Sequence, residues 1–259
     1  MLLLNNKITY TITVWYIKNN IMSNVEKYHF FEEKIINIEK ISPDILKIKL
    51  NKPKNFNYIS GQFIQIKVPD KNSDTGYILR PYSLSSTSQD NYLEFCIKLL
   101  ENGIASNYLK NININNKLSF TNNEGNFIYK NPENKKVYFI ATGVGLSPIF
   151  SIIKNELENK NNKNEFNLFF GTRKEKDIFW EKDLIKIKNN YKNFKYKIIL
   201  SQPEKDLQKK GHVTDLLKSI DTKNSIFFIC GNPDMIKDSA QILLTKKVDI
   251  NNIHFEIFE

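Results

Sequence analysis

Around Asn131 and Pro132 the hydrophobic rhythm of the chain changes, and the two sides of that point require different architectures. Upstream, short runs rich in Ile, Leu, Phe and Val (35–38, 45–50, 62–68, 80–85, 93–99 and 117–120) are punctuated by Pro, Gly and Asn. Such runs predict strands of an antiparallel barrel, interrupted by one short helix over Gly103 to Lys110. Downstream, apolar runs at 137–141, 166–170, 194–200 and 226–230 alternate with amphipathic stretches at 148–157, 178–188, 213–220 and 234–245. That alternation predicts a parallel sheet covered by helices. The expected fold is an antiparallel β-barrel domain over 25–131 followed by an α/β doubly wound parallel-sheet domain over 132–259. Residues 1–24 precede the regular patterning and read as a leader or the product of an upstream start codon, with no function assigned.

A chain of 259 residues with 41% hydrophobic content has the material for two buried cores. No stretch approaches the roughly 20 consecutive apolar residues of a membrane-spanning helix. The two cysteines, Cys96 and Cys230, lie far apart and outside any Cys-x-x-Cys spacing. They support neither a disulfide framework nor an iron–sulfur site, and a reducing cytoplasm is the expected location. The formal charge of +10 is spread over lysines interleaved with asparagines, as at 52–57 and 158–164. It fits a compositional bias and a docking surface for an acidic partner equally well.

The sharpest local signal in the second half is Ala141-Thr142-Gly143-Val144-Gly145-Leu146-Ser147-Pro148, between an apolar strand and an apolar helix. Glycines allow a tight turn and close approach of a pyrophosphate, Ser147 is placed to cap the helix, and Pro148 suits its first turn. The amides and dipole of that helix end attract phosphate. Alone, Gly-x-Gly is almost as compatible with a purely structural turn. The second strand ends in Gly171-Thr172-Arg173, without the acidic residue that binds ribose hydroxyls in a simple dehydrogenase.

The first half supplies the context through Arg80-Pro81-Tyr82-Ser83 and Gly103-Ile104-Ala105-Ser106. With these motifs the chain resembles the ferredoxin–NADP reductase superfamily, whose FAD domain carries Arg-x-Tyr-Ser and a downstream Gly-x-x-Ser. Gly61-Gln62-Phe63, the turn at Thr142 to Pro148, Cys230-Gly231-Asn232-Pro233 and the terminal His254-Phe255-Glu256-Ile257-Phe258-Glu259 follow in the same order. The resemblance implies an FAD-binding barrel joined to an NAD(P)-binding domain, with flavin and nicotinamide meeting between them.

The resemblance also assigns roles. Arg80 and the helix near Ser106, with Gly103, would hold the FAD pyrophosphate. Tyr82 would lie against the isoalloxazine ring and Ser83 near its N5 edge. Thr142, Gly143, Gly145, Ser201, Cys230 and Gly231 would line the nicotinamide dinucleotide, and Phe258 would cover one flavin face. Ser83, Cys230 and Glu256 form the implied catalytic group, with Cys230 aligning the nicotinamide and not acting as a nucleophile. No metal site is expected. For Arg80 and Tyr82 the plain alternatives are an exposed strand charge and barrel core; for Cys230, a small buried hydrophobe; for the C-terminus, a strand packing Phe255 or Phe258.

Gln202 and His212 stand where NADPH-selecting members often have basic residues, which leans toward NADH, although Arg173, Lys205 or Lys209 could compensate. The implied activity is hydride transfer from NADH or NADPH to FAD, then electron transfer to a separate acceptor such as an acidic ferredoxin, a flavodoxin or an oxygenase component. No nucleic acid or integral membrane partner is expected. The other readings are an electron-transfer subunit of a larger redox complex and a non-enzymatic nucleotide-binding regulatory protein.

Overall fold

The computed structural model describes residues 28–132, 135–204 and 210–257. Among the described residues eleven strands form two sheets, split between the sixth and seventh strands. The first sheet is antiparallel, with order β4-β3-β6-β1-β2-β5. Its strands are β1 (Phe30–Ser42), β2 (Ile45–Asn51), β3 (Phe63–Pro69), β4 (Tyr77–Ser83), β5 (Tyr92–Lys98) and β6 (Lys117–Thr121). The two end strands approach each other: a Leu84↔Phe95 bridge and the Ser85 amide, donating to the Glu94 carbonyl at 2.7 Å, close the sheet into a barrel. Alternate residues Ile64, Ile66, Val68, Leu118 and Phe120 are fully buried inside it, as period-two patterning requires.

β1 is longer than the apolar run at 35–38 suggests. Phe30 to Lys34 pairs with β6 and Ile35 to Ser42 with β2, with register shifts at Ile35/Asn37 and Lys40/Ser42. The bulges bend one strand between two neighbours, which a regular alternation does not reveal. α1 (Ile104–Lys110) has Gly103 at its N-cap, so it begins two residues before Ser106.

The second sheet is wholly parallel, with order β11-β10-β7-β8-β9. It comprises β7 (Lys136–Thr142), β8 (Glu165–Thr172), β9 (Phe194–Leu200), β10 (Ser225–Gly231) and β11 (Ile253–Ile257). The helices are α2 (Leu146–Lys154), α3 (Glu181–Asn190), α4 (Val213–Lys218) and α5 (Pro233–Thr245). The order reverses between β7 and β10, the crevice where doubly wound sheets take ligands beyond the strand carboxyl ends. β10 is buried along its whole length, and Phe139, Phe166, Phe170 and Phe228 fill the core under α2.

Two sequence expectations need correction here. Ser147 does not cap α2: a 3-10 turn over Gly143–Gly145 runs straight into the helix, Gly145 takes the cap position in a helical conformation, and Ser147 is buried inside the first turn. The stretch at 178–188 is helical only from Glu181, because Trp180 adopts a left-handed conformation and stacks on Phe150 at 4.4 Å. No helix among the described residues is long and apolar enough to cross a membrane.

Candidate functional site

The carboxyl ends of β7 and β10 face each other across the switch point, and the residues there are small for a steric reason. A Cβ on Gly145 would collide with the Cys230 carbonyl, so only glycine lets the turn lie against β10. Gly143 has φ +53, and the space where its Cβ would stand is empty. The turn therefore presents bare backbone, as a pyrophosphate requires. Gly231 packs on Thr142, whose hydroxyl oxygen accepts from the Asn232 amide at 3.2 Å. Asn232 then caps α5, accepting from Asp234 and Met235 amides ahead of Pro233. Thr142, Gly143, Gly145, Cys230 and Gly231 are thus brought together.

β4 brings the barrel's motif to the same place. Its register sets Arg80 opposite Ile66 and Tyr82 opposite Ile64. Arg80 is exposed, with one guanidinium nitrogen donating to the Leu79 carbonyl at 2.9 Å. Tyr82 stacks on Phe95 at 5.5 Å, and burial pushes its hydroxyl up to about 12 against the pull of Arg80. Ser83 is buried and donates to Oε1 of Glu256 at 2.7 Å.

Glu256 lies on β11 opposite Cys230 on β10 and is 5% exposed. Burial raises its carboxyl to about 7, while the Ser83 hydrogen bond pulls the other way. Cys230 is raised by burial and then by the Glu256 charge, so it stays a thiol at neutral pH. Neighbouring His254 stacks on Phe228 at 4.8 Å and is lowered by burial and by Lys130.

The other assigned residues are held by local contacts of their own. Ser106 is buried, and its hydroxyl oxygen accepts from the Leu100 amide at 2.9 Å, so it closes the turn before α1, with Gly103 packed against it. Ser201 and Gln202 donate their amides to Thr172 and Arg173 carbonyls, joining the loops after β8 and β9. His212 occupies the N-cap of α4 in a reciprocal arrangement with Asp215. Phe255 is half-buried and packs against the second domain's core. Phe258, Lys205, Lys209 and the leader lie outside the described residues.

Two contributors were given no role by the sequence. Gly125 lies against Phe63 and Glu256, at the end of an Asn-rich turn. Gln62 accepts from the Ile59 amide at 2.9 Å and from Asn123 at 2.8 Å and donates to the Gly125 carbonyl at 3.1 Å, holding that turn in place. Gln62 belongs to the Gly61-Gln62-Phe63 tripeptide, whose structural role the sequence did not show, whereas Gly125 carried no signal.

Comparison with known proteins matches residues 32–129 to the oxidoreductase FAD-binding domain and residues 139–241 to the oxidoreductase NAD-binding domain. NADH-cytochrome b5 reductase 2 of Neosartorya fischeri is 27% identical over 215 residues, covering 79% of this chain and 66% of that protein. The chain thus spans just under two thirds of that fungal relative's length. Flavodoxin/ferredoxin–NADP reductase of Buchnera aphidicola is 27% identical over 227 residues, covering 83% of this chain and 90% of its own. The fold is that of a ferredoxin NADP+ reductase from Neisseria gonorrhoeae solved with FAD and NADP, with TM-score 0.78, 21% identity and coverage of 88% and 98%.

Proposed function

Since the chain belongs to the ferredoxin–NADP reductase superfamily of FAD- and NAD-binding oxidoreductases, we propose that it transfers hydride from NADH or NADPH to FAD and passes the electrons to a separate redox protein. The observation that carries this reading is the Ser83–Glu256 hydrogen bond, which joins the end of the barrel's motif to the carboxyl edge of the parallel sheet. A group held by β4 and a group held by the glycine turn then share one crevice.

The residues present fit both cofactors. Arg80 offers an exposed guanidinium, which suits a pyrophosphate by charge and forked geometry. Tyr82 offers a flat, half-buried ring. The Gly143–Gly145 turn offers backbone without side chains. Bound FAD supplies a ring that accepts hydride and releases electrons singly or in pairs. The protein contributes alignment and electrostatics: Ser83 holds a hydroxyl at the crevice, Cys230 contributes a neutral, closely packed wall, and Glu256 holds a proton that it exchanges near neutral pH.

Gln202 and His212 support NADH over NADPH, because neither supplies the permanent charged fork that a 2′-phosphate favours. The acceptor is an acidic electron carrier, a reading supported by the formal charge of +10 and by relatives whose names specify cytochrome b5, flavodoxin or ferredoxin. The deciding experiment is anaerobic. A yellow protein whose flavin bleaches on adding NADH or NADPH supports the proposal. A colourless chain that cannot take up FAD removes it in favour of a nucleotide-binding regulatory role.

A further inference from the structure

α2 starts at the glycine turn and runs along the barrel; Ser147 and Ser151 stand at i and i+4 among mostly apolar residues, and Asn155, the C-cap that opens the following π-helical turn, continues the spacing at i+8. Residues so spaced share one helix face. That face meets the barrel: Ser147 lies beside Cys96 of β5, and Ser151, fully buried, donates its hydroxyl to the Ser86 carbonyl. Further along, Asn159 donates to Thr87 Oγ1 at 3.3 Å and Lys154 lies 3.9 Å from Asp90.

Ser86 is three residues beyond Ser83, in the loop that follows the flavin motif. The barrel holds this loop independently. Tyr58 donates to the Thr87 carbonyl at 2.6 Å and shares a hydrogen bond with the Ser86 hydroxyl at 2.8 Å. Ser85 donates to Glu94 at 2.8 Å, and Lys52 donates to the Ser88 carbonyl at 2.6 Å. The loop therefore moves with the barrel, whereas Ser151 moves with the glycine turn, about 9 Å away along a rigid helix. The Ser151 hydroxyl is a buried polar tie between the loop and the helix that carries the turn.

We infer that Ser151 is a positioning residue, which sets the nicotinamide-binding turn against the flavin motif by anchoring α2 to the Ser86 carbonyl. The inference rests on the hydride-transfer function proposed above. It requires that Ser151 leave each domain's own binding intact and act on their mutual alignment, where displacements of an ångström matter.

The test uses the full chain loaded with FAD, comparing wild type with Ser151→Ala and the hydroxyl-retaining Ser151→Thr. In wild type, NAD+ should slow amide hydrogen exchange across residues 84–90, and mixing with NADH should give long-wavelength absorbance from stacked nicotinamide and flavin. Ser151→Ala should bind FAD normally, lose both responses and reduce its flavin about tenfold more slowly at saturating NADH, with KM changed less than about twofold. Ser151→Thr should recover them. Wild-type exchange, absorbance and rate in a folded Ser151→Ala chain would overturn the inference alone, even if its Tm fell. A wild-type chain whose flavin neither NADH nor NADPH reduces would overturn the proposed function, and the inference with it.

Discussion

The Ser83 hydroxyl donates to the Glu256 carboxylate at 2.7 Å across 173 residues of sequence, and both groups are buried. This contact links the end of β4 in the barrel to β11 of the parallel sheet. Removing the hydroxyl takes away the only hydrogen-bond donor recorded to that carboxyl among the described residues, which leaves burial to raise it further. Ser83→Ala should retain FAD and slow flavin reduction by about 10- to 100-fold, as read by anaerobic stopped-flow absorbance. An unchanged rate would remove Ser83 from the hydride-transfer site.

Glu256 makes stability depend on pH in a definite sense. Its folded value, about 7, is above its ordinary value of 4.5, so the folded chain retains a proton that the unfolded chain has lost. The associated stability is present below about 4.5 and is lost as pH rises through about 7. Tm should therefore fall over that window, and Glu256→Gln, which stays neutral, should flatten the profile. A Tm profile unchanged by the substitution would show that Glu256 titrates as an ordinary carboxylate.

Arg80→Ala should weaken FAD retention without unfolding the parallel-sheet domain, because Arg80 is an exposed side chain on β4 of the barrel. Loss of a charged hydrogen-bonding group should cost about 1.5 to 3 kcal/mol of binding, roughly 10- to 150-fold in Kd. Titration of the apoprotein with FAD, followed by flavin fluorescence, gives the number. Wild-type affinity would count against the pyrophosphate assignment.

The two glycines of the turn should behave differently. Gly145→Ala drives a methyl into the Cys230 carbonyl and should cost on the order of 3 kcal/mol of stability, seen as a lower Tm. Gly143→Ala meets no atom, and its positive φ costs about 1 to 2 kcal/mol, so the chain should fold. Its methyl would project into the crevice and weaken nucleotide binding. Equal losses of Tm in the two variants would contradict this separation.

Rising salt should slow reduction of an acidic acceptor, since long-range attraction is screened over roughly 8 Å at physiological ionic strength. Reduction of the flavin by nucleotide should change much less. Stopped-flow measurement of both half-reactions across a salt series separates the two. Equal sensitivity would remove the basic docking surface.

Much of this architecture is local in origin and was legible as such. Alternation in Gln62 to Val68 specifies a barrel strand because side chains alternate faces at every residue, and the apolar run at Val137 to Ala141 specifies a strand covered on both sides. Glycine is required at Gly145 by the close approach of β10 and favoured at Gly143 by its positive φ, which is why both stand out in the sequence. The misplaced cap at Ser147 has the opposite cause. Whether a helix begins at a capping side chain or through a 3-10 turn depends on how the preceding loop is held, here by Gly145 against β10.

The order of strands and helices, and the residue types able to meet a phosphate or a flavin, are properties of neighbouring residues and follow from the sequence itself. Which distant residues meet is decided by domain packing. Glu256 became a proton-holding group because β11 pairs beside β10 and the barrel covers it with Ser83. Ser151 became a tie because α2 lies against the loop at 84–90. Burial and partnership set a carboxyl's proton affinity and a hydroxyl's role, and both arise only when segments far apart in the chain are brought into contact.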